Sequence, residues 1–560
     1  MKRFSVLVCA VMAFMASAAQ TKDHNFEVGK NLDLFNQVYK QLDLMYVDTI
    51  NPGEVIGYGI NGMLRALDPY TEFYPEEKTK DLKRMITGKY AGVGAIVRYN
   101  QQLKRVVIDE PFENMPAAEV GLKKGDIILS IDGKDMTRST VQEVSDNLRG
   151  DAGSTFLLKV KRPSVKKELQ FKVSRRNIKL PEIEYCGIAD GDVGYICFRE
   201  FTEGCAKNMR RAFLDLKQQG AKKLVLDLRS NGGGSLSEAV DIINMWVPQG
   251  ITLVETKGKL PQVYKKYTTR LEPIDTVMPI AVLVNGETAS ASEITCGSIQ
   301  DLDRGIIIGT RTYGKGLVQS PLDMPYNTNL KITTSKYYIP SGRCIQAINY
   351  KRSGGGGYME RVPDSLTHVF NTRAGREVRD GGGIKPDVEV TPDTVPNILV
   401  YLDRVDSLEV TFNWVVNYIA THPTIAPARD FALTDAEYDD FKDKVVKSGF
   451  TYDPVSEKNI EELEKLLKFE GYYDDAKEEL AALKKKLKHN VARDLDKHKT
   501  AIKQMLEQEI VTAYYYKRGA IDAGLKYDKQ LQEAIRLLND NEAYGRLLQP
   551  KHCLLYTSDA

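Results

Sequence analysis

Apolar residues recur at helical spacing near the start of the chain, at Leu32, Leu34, Phe35, Val38, Tyr39, Leu42 and Tyr46, and again over 55–67 after the break Asn51-Pro52-Gly53. This predicts a helical region over 19–84 whose apolar face is a packing surface. Over 85–176 short apolar runs replace that pattern. Ala95-Ile96-Val97 follows Gly88, Gly92 and Gly94, Val106-Val107-Ile108 comes next, and P-A-A-E-V-G-L-K-K-G-D-I-I-L-S-I-D-G occupies 116–133. The last block reads as a short helix, a turn at Gly125, a strand and a second turn at Asp132-Gly133. A helix over 141–148 and strands over 156–160 and 169–173 complete a β-rich unit.

Strand and helix patterns then alternate over 177–394, which predicts an α/β core. Strands are expected at 193–198 and 223–228, helices at 205–217 and 236–246, and the glycine loop R-S-N-G-G-G-S lies at 229–235. Val282-Leu283-Val284 reads as a buried strand end, Asn285-Gly286 breaks it, and a helical pattern runs from Ser292 to about Leu302. Ile306-Ile307-Ile308 is strand-like and 329–338 alternates as a strand, while Gly354 to Gly357 forms a flexible loop. Beyond 395 the chain is helical to 549. The Glu-, Lys- and Leu-rich stretch 457–487 reads as solvated helix surface, with packing or homo-oligomerisation as the alternative. Residues 550–560 fit no pattern and are set aside.

At 560 residues and 42% hydrophobic content the chain can bury several cores. Its 78 basic and 76 acidic residues leave a net charge of +2, so no electrostatic case for nucleic acid arises. Met1-Lys2-Arg3, the apolar run over 4–15 and Ala16-Ser17-Ala18 read as a signal peptide over 1–18. That run is too short to span a bilayer. The expected location is therefore the periplasm or cell envelope. Cysteines 186, 197, 205, 296, 344 and 553 lack metal-like spacing, so no metal site or cofactor is expected, and most should pack as small apolar residues.

Candidate chemistry centres on T-A-S-A-S-E at 288–293. Ser290 falls at a strand-to-helix turn, where a hydroxyl can face a substrate and helix N–H groups favour developing negative charge. A serine nucleophile needs a base. The histidines are His24, His368, His422, His489, His498 and His552, and none lies between 25 and 367. Lys315, flanked by Gly314 and Gly316, is the base candidate, because glycines on both sides permit close backbone approach. Phosphate binding by the 229–235 loop is disfavoured, since neither G-x-x-x-x-G-K-[ST] nor G-x-G-x-x-G with its acidic partner is present.

The serine motif, a lysine 25 positions beyond it in Y-G-K-G, and Gln319 four further on resemble the carboxyl-terminal processing (tail-specific) serine proteases of peptidase family S41. Thr288 stands where many members carry serine. The resemblance covers about residues 30–390 and implies Ser290 as nucleophile, Lys315 as general base and Gln319 as the residue orienting the lysine. L-D-L-R-S-N-G-G-G resembles the segment facing the serine, where the backbone N–H of Gly232 or Gly233 would join that of Ala291 in an oxyanion hole. The 85–176 unit resembles a PDZ domain, in which an extended peptide adds to a strand edge and a glycine loop captures its terminal carboxylate. Gly92, Val93, Gly94, Ala95 and Ile96 match that loop and strand.

The expected fold is multidomain α/β: a ClpP/crotonase-like protease core, an inserted PDZ domain, and helical N- and C-terminal regions. The expected function is an exported endopeptidase acting through an acyl-enzyme on protein or peptide substrates recognised by their C-termini, with a regulatory or adaptor protein as a possible partner. Two other classes compete: a non-catalytic PDZ scaffold of the cell envelope, and an acyl-CoA-type enzyme on a related core. The co-occurrence of Ser290, Lys315, Gln319 and the glycine loop disfavours the first, and the signal peptide and PDZ-like unit disfavour the second. As base, Lys315 must be neutral, so its pKa has to fall by about three from its ordinary 10.4, at a cost near 4 kcal/mol. Asp301, about 16 Å along the helix from Ser290, reads as structural, and Glu293 reads as a structural first-turn charge.

Overall fold

The computed structural model describes residues 2–79, 89–350, 360–405, 407–453 and 455–550, in two compact units. The first is drawn from the described residues within 1–77, from 319–333 and from residue 350. It holds helix α1 (Lys2–Met45) and helix α2 (Pro52–Arg65). Asn51 caps α2 by accepting from Gly53 N (3.0 Å), and Pro52 at the first helical position is pre-set for the helix. Two features depart from the helical expectation for 19–84. Strand β1 (Glu72–Tyr74) pairs antiparallel with residues 329–331, the extended backbone following Pro69. In addition, Leu32, Leu34, Phe35, Val38 and Leu42 are exposed rather than packed.

The second unit contains Ser290, Lys315 and the 229–235 loop. It opens with β2 (Lys89–Gly92), followed by the antiparallel strands β3 (Ala95–Asn100), β4 (Arg105–Pro111) and β5 (Ile127–Ile131). Helix α3 (Val141–Leu148) comes next, then β6 (Thr155–Lys161), β7 (Leu169–Ser174) and β8 (Arg176–Lys179), which pairs with β2. Sheet order is β3-β4-β5-β6-β7, so β3 is an edge strand. Val106, Ile108, Ile128, Leu158 and Val160 of the strands and Val144 of α3 fill the interior. A Thr140–Glu143 capping box starts α3.

The core sheet is mostly parallel. Strand β9 (Ile183–Asp190) pairs antiparallel with β10 (Val193–Phe198), then helix α4 (Cys205–Gln218) leads to β11 (Lys223–Asp227) and helix α5 (Leu236–Ile243). Strands β12 (Thr252–Gly258) and β13 (Lys265–Thr268) form a side sheet. The main sheet resumes with β14 (Ile280–Val284), helix α6 (Ala291–Asp301) and β15 (Ile306–Gly309). After β16 (Leu317–Met324) and β17 (Thr328–Tyr338) it ends with β18 (Val388–Glu389), giving the order β9-β10-β11-β14-β15-β18. Residues 335–338 of β17 pair with β12. Central strands β11, β14 and β15 read as near-continuous apolar runs because both faces are covered.

Helices α4, α5 and α6 cover one face over Ile196, Leu224, Leu226 and Val282. The other face is closed by the C-terminal region. That region contains α7 (Val410–Thr421), α8 (Asp435–Lys447), α9 (Val455–Glu470), α10 (Tyr473–Leu487), α11 (Lys499–Gly524) and α12 (Lys529–Asn539). Leu531, Ala534, Ile535 and Leu538 of α12 pack on Tyr195, Val225, Leu283 and Ile308. At this helix the C-terminal region is part of the core. The stretch 457–487 is two helices separated at Gly471, whose φ of 84° ends the first.

The C-terminal region also holds the β-rich unit. Phe412 and Val416 of α7 pack on Val107 and Ile127, Lys124 bridges Asp109 (2.6 Å) and Glu509 (2.9 Å), and Arg98 pairs with Glu409. Cys186, Cys197, Cys205, Cys296 and Cys344 are free thiols, three of them buried. Cys553, the tail 551–560 and the loop Gly354 to Gly357 lie outside the described residues.

Candidate active site

Ser290 immediately precedes α6 with φ 58° and ψ −116°, a conformation that L-residues adopt at a cost. Contacts from both sides hold it. Thr288 Oγ1 donates to Leu228 O (2.9 Å) and accepts from Asn285 N (2.9 Å), and Ala289 N donates to Asn231 O (3.0 Å). Ser292 Oγ reaches the same Asn231 carbonyl (2.9 Å), so one buried asparagine ties the serine turn to the glycine loop. The Asn231 side chain shapes that loop as well, accepting from Gly233 N (2.9 Å) and donating to Phe198 O (2.9 Å). A Cβ on Gly233 would lie 2.8 Å from both Ser290 Cβ and Ala291 N, so glycine is required for this approach. Gly232 is exposed, and Ala291, first in the helix, has no intrahelical acceptor for its N–H.

The lysine segment joins the same place. Gly314 has φ 87°, and a Cβ there would stand 2.2 Å from Ala347 Cβ, while one on Gly316 would stand 2.8 Å from Gln346 N. The flanking glycines therefore do allow close backbone approach. Glu293 is fully buried and gathers four donors: Thr312 Oγ1 (2.6 Å) and Gly314 N (2.7 Å) on Oε1, Ser290 N (2.9 Å) and Lys315 N (2.9 Å) on Oε2. Burial pushes its carboxyl above the ordinary value, against the pull of those donors. Tyr337 Oη lies 2.7 Å from Lys315 O and 3.3 Å from Ser290 O. Ser290 and Lys315 are both half-buried.

The structure thus brings together Ser290, Ala291, the loop with Gly232 and Gly233, and Lys315. Gln319, on β16, falls in the other unit, where its Nε2 donates to Thr333 Oγ1 (3.1 Å). Asp301 pairs with the buried Arg343 (2.7 Å) and accepts from Ser341 N (3.0 Å), a structural position. Sequence reasoning missed Asn231, Tyr337 and the bridging of Glu293. Only Glu293 left a signal, the S-x-x-E spacing of a capping box, which its acceptance from Ser290 N half fulfils. Among the described residues no group of three or more His, Cys, Asp or Glu is placed to hold a metal ion.

In the β-rich unit Gly94 has φ 71°, Val93 is buried, and Gly92 to Ala95 leads from β2 into the edge strand β3. The exposed Ile96 lies on that strand.

Residues 192–352 match the model for peptidase family S41, 107–162 a PDZ domain, and 401–538 the "probable PDZ-protease, C-terminal helical domain". A carboxy-terminal-processing protease of Bartonella bacilliformis is 35% identical over 347 residues, covering 61% of this chain and 79% of that protein. The chain belongs to the carboxy-terminal-processing serine protease family. A probable CtpA-like serine protease of Staphylococcus aureus strain MRSA252 is 31% identical, covering 61% of this chain and 68% of that protein. A solved photosystem II D1 C-terminal processing protease is 26% identical over 64% of this chain and 87% of its own, at a TM-score of 0.34. As a family member the protein is a multidomain α/β serine peptidase with a PDZ domain, acting on protein or peptide substrates.

Proposed function

We propose that the protein is an exported endopeptidase in which Ser290 attacks the peptide carbonyl and Lys315 accepts its proton. The observation that carries this reading is the convergence of three segments, the glycine loop, the serine turn and the lysine loop, through Gly233, Asn231 and Glu293. The amides of Ala291 and Gly232 stabilise the oxyanion. Gly232 is preferred to Gly233 because the Gly233 N–H is already committed to Asn231 Oδ1. Removing one such donor costs about 3–4 kcal/mol of transition-state stabilisation. Water then releases the acyl-enzyme. Gln319 is assigned to orient Lys315 on the family motif alone; a neutral amide accepts from the lysine without adding charge that would raise its pKa.

The PDZ domain takes the C-terminus of a substrate or partner along the edge of β3, with the Gly92 to Ala95 amides on the carboxylate. Export follows from the signal-peptide pattern at 1–18, and a regulatory adaptor or a homo-oligomer fits the same picture.

The test compares the purified protein with Ser290→Ala and Lys315→Ala on an unfolded or C-terminally tagged substrate. Each variant should lose at least about 1000-fold in kcat, as triad deletions do elsewhere. Cleavage by Ser290→Ala at the wild-type rate would overturn the nucleophile assignment, and a folded wild type that cleaves nothing would favour the scaffold reading.

A further inference from the structure

We propose that Glu293 and Tyr337 are positioning residues that clamp the backbones of the nucleophile and the base to one another. The inference rests on the reading of Ser290 and Lys315 as the reacting pair. These residues lie 25 apart in the chain, on a helix start and on a glycine-flanked loop, and the nearest backbone link between the two segments is Tyr313 N donating to Thr288 O (3.0 Å), two residues before each.

Glu293 and Tyr337 fix the separation of the two residues from opposite polarities. The single atom Glu293 Oε2 accepts both backbone N–H groups, Ser290 at 2.9 Å and Lys315 at 2.9 Å. The single hydroxyl of Tyr337 faces both backbone carbonyls, donating to Lys315 O at 2.7 Å with Ser290 O at 3.3 Å as the second acceptor. Each end is anchored independently. Glu293 Oε1 is held by Thr312 Oγ1 and Gly314 N, and Thr312 Oγ1 accepts in turn from Ile384 N (2.7 Å). Tyr337 is paired with Thr256 of β12 and donates its own N–H to Gly316 O (3.1 Å). Both side chains are buried, which strengthens their hydrogen bonds.

The chemistry of the two residue types is specific. Each Glu293 oxygen receives two donors, which a carboxylate can satisfy and an amide cannot. Whichever way a glutamine is turned, its NH2 would face two donors and two bonds would be lost. Phenylalanine at 337 would remove one hydroxyl and leave the ring in place. Displacement of reacting groups by about 1 Å can cost about 100-fold in rate.

The experiment measures kcat and KM on a peptide substrate, the second-order rate of Ser290 phosphonylation by a fluorophosphonate, and the melting temperature. It uses the full chain as wild type, Glu293→Gln, Tyr337→Phe, Ser290→Ala and Lys315→Ala. At a temperature where all are folded, Glu293→Gln should lose about 100-fold and Tyr337→Phe about 10-fold in kcat, with phosphonylation slowed in parallel and KM nearly constant. A merely structural role would lower the melting temperature and leave both rates per folded molecule unchanged; that result overturns the clamp. Should Glu293→Gln fail to fold, Tyr337→Phe decides alone. Activity lost in Ser290→Ala but normal in both clamp variants sinks the clamp and leaves the proposed mechanism standing. Activity retained in Ser290→Ala sinks the mechanism and the clamp with it.

Discussion

The two ends of α6 carry buried carboxylates with opposite surroundings. At the start Glu293 meets a hydroxyl and three backbone amides, and these donors come from the segments proposed to react. At the end Asp301 meets the guanidinium of Arg343, which also donates to Gln300 Oε1 (2.9 Å) and Arg379 O (3.0 Å). Asp301 lies far along the helix from Ser290 and binds backbone near the Ile339–Arg343 turn. A cation beside a buried carboxylate cancels its charge and locks a fold. Hydrogen-bond donors around one instead tie together the segments that supply them.

The largest expected effect tests the locking end. Arg343→Met would leave Asp301 buried without its counter-charge, and breaking a buried pair on one side costs about 3–5 kcal/mol. The loss would be read as a lower denaturant midpoint. Those molecules that stay folded should cleave at close to the wild-type rate. Glu293→Gln should behave in the reverse way, losing less stability, about 1–3 kcal/mol for its unmet donors, and far more activity. If Arg343→Met cut kcat per folded molecule as deeply as Glu293→Gln, the two ends would not differ in role.

Much of this contrast was legible in the sequence only as position. The strands 193–198 and 223–228, the helix 141–148 and the start of α6 fall within a residue or two of their expected bounds, because Gly and Asn breaks flank strong apolar runs. Ser290 and Lys315 stood out by motif and by their small neighbours. Glu293 showed as S-x-x-E, yet its burial comes from Thr312 and Gly314 closing over it, a tertiary event that spacing does not encode. Tyr337 sits 47 residues from Ser290 on an alternating strand, indistinguishable there from any inward tyrosine. The sealing of the sheet by α12 was hidden in the same way. Leu531, Ala534, Ile535 and Leu538 have helical spacing, but nothing in the pattern names the surface they cover.

The smallest expected effect concerns pH, and Asp227 supplies the control. Its carboxylate, also buried, accepts from Tyr195 Oη (2.6 Å) and from Arg229 Nη2 (2.6 Å). Burial alone would raise the Asp227 carboxyl, but the Arg229 guanidinium and these hydrogen bonds hold it below its ordinary 3.8. Its folded value being depressed, it contributes stability above pH 3.8 that is lost as pH falls through the lower folded value. Glu293 runs the other way. Raised above its ordinary 4.5, it contributes stability that is fully present below pH 4.5 and is lost as pH rises through the folded value. Urea denaturation of wild type, Asp227→Asn and Glu293→Gln across about pH 3 to 8 separates the two. The advantage of wild type over Asp227→Asn should shrink as the solution is acidified below 3.8, and its advantage over Glu293→Gln should shrink as pH climbs above 4.5. Slopes of the same sign would mean that the cation beside Asp227 and the dipoles around Glu293 act alike, and the distinction drawn between the ends of α6 would fall with them.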